Sequence, residues 1–299
     1  MVVSTKSLSY FDLLVWLRTG QEAARRLATS QPSVSRRVNE VADTFALQLS
    51  KSAGEWQVEG DATLLNLERQ VHQRYRWDHG LPLRLEAQFY SGPLFCQGLG
   101  SDWIRGNFDF LEIHTPLRHL RDGVIDAWIA THPDLPDDDD PDFACFPLIR
   151  YPTRLVVAQD HPLLELGQAI RLEDVWQYPT LALADGAYPK VQAALMELNL
   201  WNQRLAESTR LSLSRGELPS LDPLAVSPAT LFTIGLFEPP QVFLPVEIPM
   251  QSGDTLIVRR DHANHPRLEP LLAHLRQMAA QLAERHGDVE LAFSEQAAG

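Results

Sequence analysis

Apolar side chains recur at three- and four-residue spacing in two adjoining stretches near the amino end. Ala23, Ala24 and Leu27 share one helical face, and Val34, Val38, Val41 and Phe45 share another. Thr29 and Ser30 interrupt the pattern between them. Ser30 has the side chain of an N-cap, accepting from a free backbone N–H, and Pro32 suits the first turn, where its missing N–H is not needed. Residues 21–45 therefore predict a helix, a tight turn and a second helix. An earlier helix is predicted from Ser9, with Asp12 as capping partner; Tyr10, Phe11, Leu13, Leu14 and Leu17 supply core contacts, and Gly20 ends it. After Phe45, Leu47, Leu49, Trp56 and Val58 alternate around a glycine-containing turn, which predicts a small hairpin.

Residues 61–79 predict one helix capped by Asp61, with Leu64, Leu67, Val71 and Tyr75 as a narrow apolar seam. From Leu81 the pattern changes to strands alternating with helices. Strands are expected at 83–90, 108–116, 124–132, 180–184 and 254–260, with two more within 143–163. Helices are expected from Ser91, at 117–123, 172–176 and 189–200, and at 267–286, where Leu268, Leu271, Leu272, Leu275, Met278 and Leu282 share a face. This alternation predicts an α/β unit with a mostly parallel sheet. Residues 203–250 show no clear period, and the tail after Gly287 is expected to fray.

Charge sharpens this division. The 299-residue chain carries a formal net charge of −13, yet residues 1–60 hold seven basic against six acidic groups. An acidic body does not coat nucleic acid, so any DNA contact must use a local basic patch near the amino end. Two cysteines, Cys96 and Cys145, are too few for a disulfide scaffold and fit a reducing cytoplasm. The opening residues are not a secretory signal, because Asp12 interrupts the apolar run. No stretch approaches the roughly 20 apolar residues of a membrane span.

The helix after Pro32 has an apolar back and a front of Ser33, Arg36, Arg37 and Glu40. A helix fits the major groove, where arginine pairs with guanine or grips phosphate. An amphipathic hairpin inside any α-rich domain shares the periodicity. The residues go further. The run AARRLATSQPSVSRRV, with Phe11 and Leu14 upstream, resembles the N-terminal domain of LysR-type transcriptional regulators. That family shows paired alanines, a leucine and Ser-Gln-Pro-x-x-Ser-Arg, here Ala23, Ala24, Leu27, Ser30, Gln31, Pro32, Ser35 and Arg36. The strong resemblance covers about the first sixty residues and continues more weakly to about residue 285. The stretches LRDGVIDAWIA and LIRYPTRLVVAQDHPL resemble the family's effector-binding region.

The resemblance implies a winged helix–turn–helix over 1–60, a linker and dimerisation helix over 61–80, and a two-lobed domain like periplasmic solute-binding proteins. Lobe 1 would comprise 81–158 and 251–299, and lobe 2 159–250, with crossings near Gln159 and Met250. It implies a cytoplasmic homodimer or homotetramer that binds double-stranded DNA under control of a small-molecule effector. Gln31, Ser33 and Arg36 are the candidates for base edges and Ser35 and Arg37 for phosphates, with Pro32 setting the approach angle. The wing departs from the family. Its usual Phe and Arg are not recognisable, Glu55 and Glu59 would repel phosphate, and Lys51 is its one basic candidate. In lobe 2 the family's glycine-rich segment is replaced by SPATLFTIGLF.

Ligands of open α/β sheets sit beyond the carboxyl ends of strands. Three such places are Ser91-Gly92, Thr131-His132 and 185–188, ending in Tyr188; together they could hold a small, carboxylated effector. PDDDDPD (136–142) lacks EF-hand spacing and reads as a solvated loop. His262 and His265 have no cysteine partner for zinc. Cys96 near a helix start reads as a small buried hydrophobe before a redox sensor. No nucleophile elbow, Walker loop or dinucleotide fingerprint appears, so no catalytic residue, cofactor or metal is expected. A solute-binding module whose N-terminal helices serve only assembly is the rival reading, and an α/β enzyme using the cleft has no positive motif.

Overall fold

The computed structural model describes residues 2–52, 54–110, 112–182, 186–204, 222–236 and 238–293. The chain begins with α1 (Thr5–Leu17), α2 (Gly20–Arg26) and α3 (Gln31–Thr44), followed by the hairpin β1 (Gln48–Ser52) and β2 (Glu55–Glu59). α1 starts before Ser9. Ser4 caps it by accepting from the Ser7 N–H, and the Ser9 hydroxyl donates within the helix to the Thr5 carbonyl. Gly20 begins α2 rather than ending α1, because Arg18 takes the left-handed conformation (φ 64°) and Thr19 caps the next helix. Ser30 stands at the N-cap of α3, but its hydroxyl pairs with that of Ser33 instead of a backbone N–H.

α4 (Thr63–Asp78) leads to the α/β body. Lobe 1 comprises β3 (Leu83–Ala87), α5 (Ser91–Phe95), β4 (Trp103–Arg105), α6 (His114–Arg121), β5 (Ala127–His132), the inner part of β6 (Phe143–Ala158), the last part of β10 (Gln241–Arg259), α9 (Leu268–Arg285) and β11 (Glu290–Leu291). Lobe 2 holds α7 (Leu172–Val175), β7 (Leu181–Ala182), α8 (Pro189–Glu197), β8 (Gln203–Arg204) and β9 (Ser227–Ala229). The main sheet runs β11-β6-β10-β5-β3-β4, with β9 beside β6.

Only part of this sheet is parallel. β3 runs parallel to β4 and β5, whereas β10 is antiparallel to both β5 and β6. The two strands expected within 143–163 are one, and it pairs with the still longer β10 through both lobes. Core membership changes between Tyr151 and Leu155 on β6 and between Met250 and Leu256 on β10. Among the described residues of 108–116 there is no strand: the strand lies earlier, at β4, and Phe108 sits at φ 58°, which interrupts an extended run. Glu112 then caps α6 by accepting from the Thr115 N–H at 2.9 Å. The tail does not fray at Gly287, since Val289 is buried and β11 joins β6. Part of the strand expected at 180–184, and residues 205–221, lie outside the described residues.

The N-terminal helices pack directly on lobe 1, and one continuous core joins Phe11, Leu14, Val38 and Val41 to Ile113, Leu120 and Trp128. At the junction Asp12, fully buried, accepts from Arg69 of α4 (2.8 Å) and Arg84 of β3 (3.1 Å). Asp126 accepts from Gln73, Arg76 and the Arg84 N–H. Burial lowers the Arg84 pKa to about 10. Two carboxylates facing three guanidiniums are thus taken out of water together, which is tolerable only because each has an opposite partner.

Candidate nucleic-acid interface and interlobe cleft

α3 turns Val34, Val38, Val41 and Ala42 inward and leaves Gln31, Pro32, Ser35, Arg36 and Arg37 exposed, with Ser33 half-buried beside Ser30. The inward residues recur with helical period, so the packing that fixes the helix also fixes which face points out. Arg36 forms no ion pair among the described residues, whereas Arg37 pairs with Glu40 at 2.8 Å on the surface. Such a pair is worth about 0–1 kcal/mol, so Arg37 can exchange Glu40 for another anion. Lys51 lies on the wing, where its ammonium donates to the Arg18 carbonyl (3.1 Å) beside the Trp56 ring. The predicted α3 residues are therefore exposed except Ser33, and Lys51 is tied to the link between α1 and α2.

α4 shows a second open face. Leu64, Leu67, Val71 and Tyr75 are 66, 53, 51 and 36% exposed, while Arg69, His72, Gln73, Arg76 and Trp77 on the opposite face are buried against lobe 1. The seam expected from the sequence is left uncovered within one chain. The other reading of the same amphipathic pattern, a helix packed on its own domain, holds for the opposite face.

The lobes meet around the remaining predicted residues. Tyr188 donates to Gln88 at 3.0 Å, His114 donates to the Gly186 carbonyl at 2.7 Å, and Asp134 accepts from the Lys190 and Val191 N–H groups that open α8. Thr131 shares a hydrogen bond with Tyr90 (2.6 Å). Burial, then Arg150 and Lys190, push the His132 pKa down. The Ser91 hydroxyl donates to Asp254, which also accepts from Tyr151 at 2.9 Å. Burial raises the Asp254 pKa to about 6 against those donors.

Ser91-Gly92 is thus not a set of free donors awaiting an anion. The Gly92 N–H bonds the Gln88 carbonyl, and a Cβ on Gly92 would stand 2.2 Å from the Phe108 ring. Ser91, Thr131 and Tyr188 are instead held by Asp254, Tyr90 and Gln88 respectively, and Tyr151 shares Asp254 with Ser91. The only sequence signal for Asp254 was an acid heading a run of strand-forming residues, and its partners come from distant segments. The Gln88 side-chain nitrogen is buried and unpaired among the described residues.

The other candidates have structural roles. The acidic loop supplies backbone carbonyls to Arg260 and its side chains pair with Arg121 and Lys190. His262 is buried and stacked on Trp77, and among the described residues no cluster could hold a metal. Burial pushes the Cys96 thiol up to about 12, so it is not a thiolate at neutral pH.

A helix–turn–helix with a hairpin wing, a linker helix and two α/β lobes joined by two long strands define a ligand-responsive regulator architecture. The chain belongs to the LysR family: the LysR substrate-binding-domain model matches residues 107–280. No curated protein matches it in sequence. Similar solved structures include a full-length OxyR variant from Pseudomonas aeruginosa (TM-score 0.51, 19% identity, 93% of this chain and 94% of that one). A probable transcriptional regulator from Pseudomonas aeruginosa aligns with TM-score 0.53 at 15% identity over 91% and 97%. Full-length CbnR complexed with its target DNA aligns with TM-score 0.51 at 16% identity over 92% and 99%. Among the described residues no helix is long and apolar enough to cross a membrane.

Proposed function

We propose that this chain is a cytoplasmic transcriptional regulator that binds double-stranded DNA through α3 and answers to a small molecule held between its lobes. The observation that carries the reading is the outward face of α3, where Gln31, Ser35 and Arg36, which has no ion pair among the described residues, project from a helix whose back is buried. Gln31, Ser33 and Arg36 would meet base edges, Ser35 and Arg37 phosphates, and Pro32 would set the entry angle. Lys51 would reach a phosphate only by giving up the Arg18 carbonyl. Two such helices in a homodimer, paired through the α4 seam, would enter grooves one helical turn or a multiple apart, and a homotetramer would pair two dimers. The division is 1–60 for DNA, 61–80 for dimerisation, 81–158 with 251–299 for lobe 1 and 159–250 for lobe 2. Ser91, Gly92, Thr131, His132 and Tyr188 would face the effector. With the buried acid Asp254 among them, a neutral hydrogen-bonding effector fits better than a carboxylate. No catalytic step is proposed.

The test is selection of bound fragments from genomic DNA, followed by titration of one fragment with the wild type and Arg36→Ala. Loss of a base contact lowers affinity by about 1–3 kcal/mol and relaxes sequence preference at one position. Equal affinity for both proteins at low salt, or no duplex bound by either, overturns the reading.

A further inference from the structure

The DNA-binding helices are held to lobe 1 by a segment that also reaches Gly92, one of the residues expected to face the effector. Residues 106–110 turn toward the DNA-binding helices at every position but Phe108. The Gly106 carbonyl accepts from Arg26 (3.1 Å), Asn107 donates to the Leu17 carbonyl (3.3 Å), and Asp109 pairs with Arg18. Phe110 lies under the Arg18 guanidinium at 4.2 Å. These contacts converge on the link between α1 and α2. The wing converges there too, since Lys51 and Trp56 both donate to the Arg18 carbonyl.

Phe108 points the other way, with its ring against Gly92 at the start of α5. Its backbone is left-handed (φ 58°), a conformation that L side chains rarely adopt, and its N–H is held by Glu86 at 3.1 Å. Glu86 is buried on β3 and also accepts from Trp16 of α1 at 2.6 Å and from the Ala87 N–H. Gly106 abuts the same carboxylate so closely that an added Cβ would meet it at 2.3 Å. One buried side chain therefore fixes both α1 and the segment.

We propose that residues 106–110 form a lever: displacement of Phe108 from Gly92 by a cleft occupant shifts Gly106, Asn107 and Asp109 and so releases the α1–α2 link from lobe 1. The recognition face of α3 is exposed while the link is docked, so the lever sets the orientation of α3 and does not cover it. This rests on the effector-controlled reading above. Its test needs neither DNA nor effector.

Hydrogen–deuterium exchange is measured on the full-length wild type and Gly92→Ala, whose added methyl drives the Phe108 ring out. Amides of residues 14–27 exchange at least tenfold faster in the variant, while β5 and β10 keep their protection. Faster exchange confined to 88–96 and 106–110 overturns the lever. Should Gly92→Ala lose protection in β5 and β10, Phe108→Ala removes the same contact without a clash and decides in the same way. The lever is then approached from its other end. Arg18→Glu speeds exchange of the link, and the pair Arg18→Glu with Asp109→Arg restores it; absence of both effects refutes the docking. A chain that shows these changes but binds no duplex keeps the lever and loses the regulator reading.

Discussion

The α4 seam allows a dimerisation prediction with a magnitude. Leu64, Leu67, Val71 and Tyr75 together leave about two side chains' worth of apolar surface exposed on each protomer. Complete burial of a Leu or Val is worth about 1.5–3 kcal/mol, so Leu67 and Val71, each half exposed, contribute about 1 kcal/mol apiece when covered. Two-fold symmetry counts every residue twice. Substituting both by alanine, which retains one methyl each, weakens the dimer by about 3 kcal/mol, on the order of a hundredfold in Kd. The thermal midpoint of the dissociated chain changes little, because these atoms contact solvent rather than the core. Sedimentation equilibrium over a concentration series reads the Kd, and calorimetry of the dilute protein reads the second quantity. A Kd shift below threefold refutes the seam as the dimer contact. A large fall in melting temperature refutes the claim that the seam is spare within the protomer.

Further outcomes follow from the buried charges. Asp12→Ala leaves Arg69 and Arg84 buried without their carboxylate, and urea denaturation should show a loss of about 3–5 kcal/mol. Burial raises the Glu86 pKa from the ordinary 4.5 to about 7. Between those values the folded chain holds a proton that the unfolded chain has released, so stability falls as pH rises through that window, by up to about 3 kcal/mol. Glu86→Gln removes this component of the slope, though its amide N–H then faces the Trp16 donor; an unchanged slope between pH 4.5 and 7 contradicts the assignment. Asp254, raised to about 6 from 3.8, acts in the same direction at lower pH. If Lys51 contacts a phosphate, Lys51→Ala reduces the slope of log affinity against log salt by about 1; an unchanged slope leaves it as a strut beneath the wing.

What the sequence made legible divides by range. The apolar backs of α3 and α9 were readable because a helix buries every third or fourth residue whatever it packs against, whereas α4 inverts the rule, with its apolar seam exposed and a largely polar face buried. The α3 front was readable for the same reason, by exclusion. Turn chemistry was harder: Gly20 has the residue type of a helix end, yet the left-handed residue is Arg18, locked by Asp109 from ninety residues away. The segment 108–116 alternates like a strand, but its polar members have separate partners: Asp109 pairs with Arg18, Glu112 holds the start of α6, His114 bonds the Gly186 carbonyl and Thr115 reaches Glu55 of the wing. The cleft was legible only as strand ends, since Ser91, Tyr151 and Asp254 meet through long-range topology that no local pattern encodes.

α4 stands between two cores with opposite obligations. Its inner face is fixed to lobe 1 by Gln73, Arg76 and Trp77, and to α1 through Arg69. Its outer face carries the seam. On the proposed reading, a change at Phe108 loosens α1 and α2 without touching Leu64, Leu67, Val71 or Tyr75, because no contact in the lever involves them. The effector would then change where the two recognition helices lie on DNA while leaving the dimer intact. Footprint length or DNA bending should respond to the effector, and the dimer Kd should not. A regulator that instead dissociated on ligand binding would require coupling through the α4 face that packs on lobe 1, and Asp126 holds that face through Gln73 and two nitrogens of Arg76.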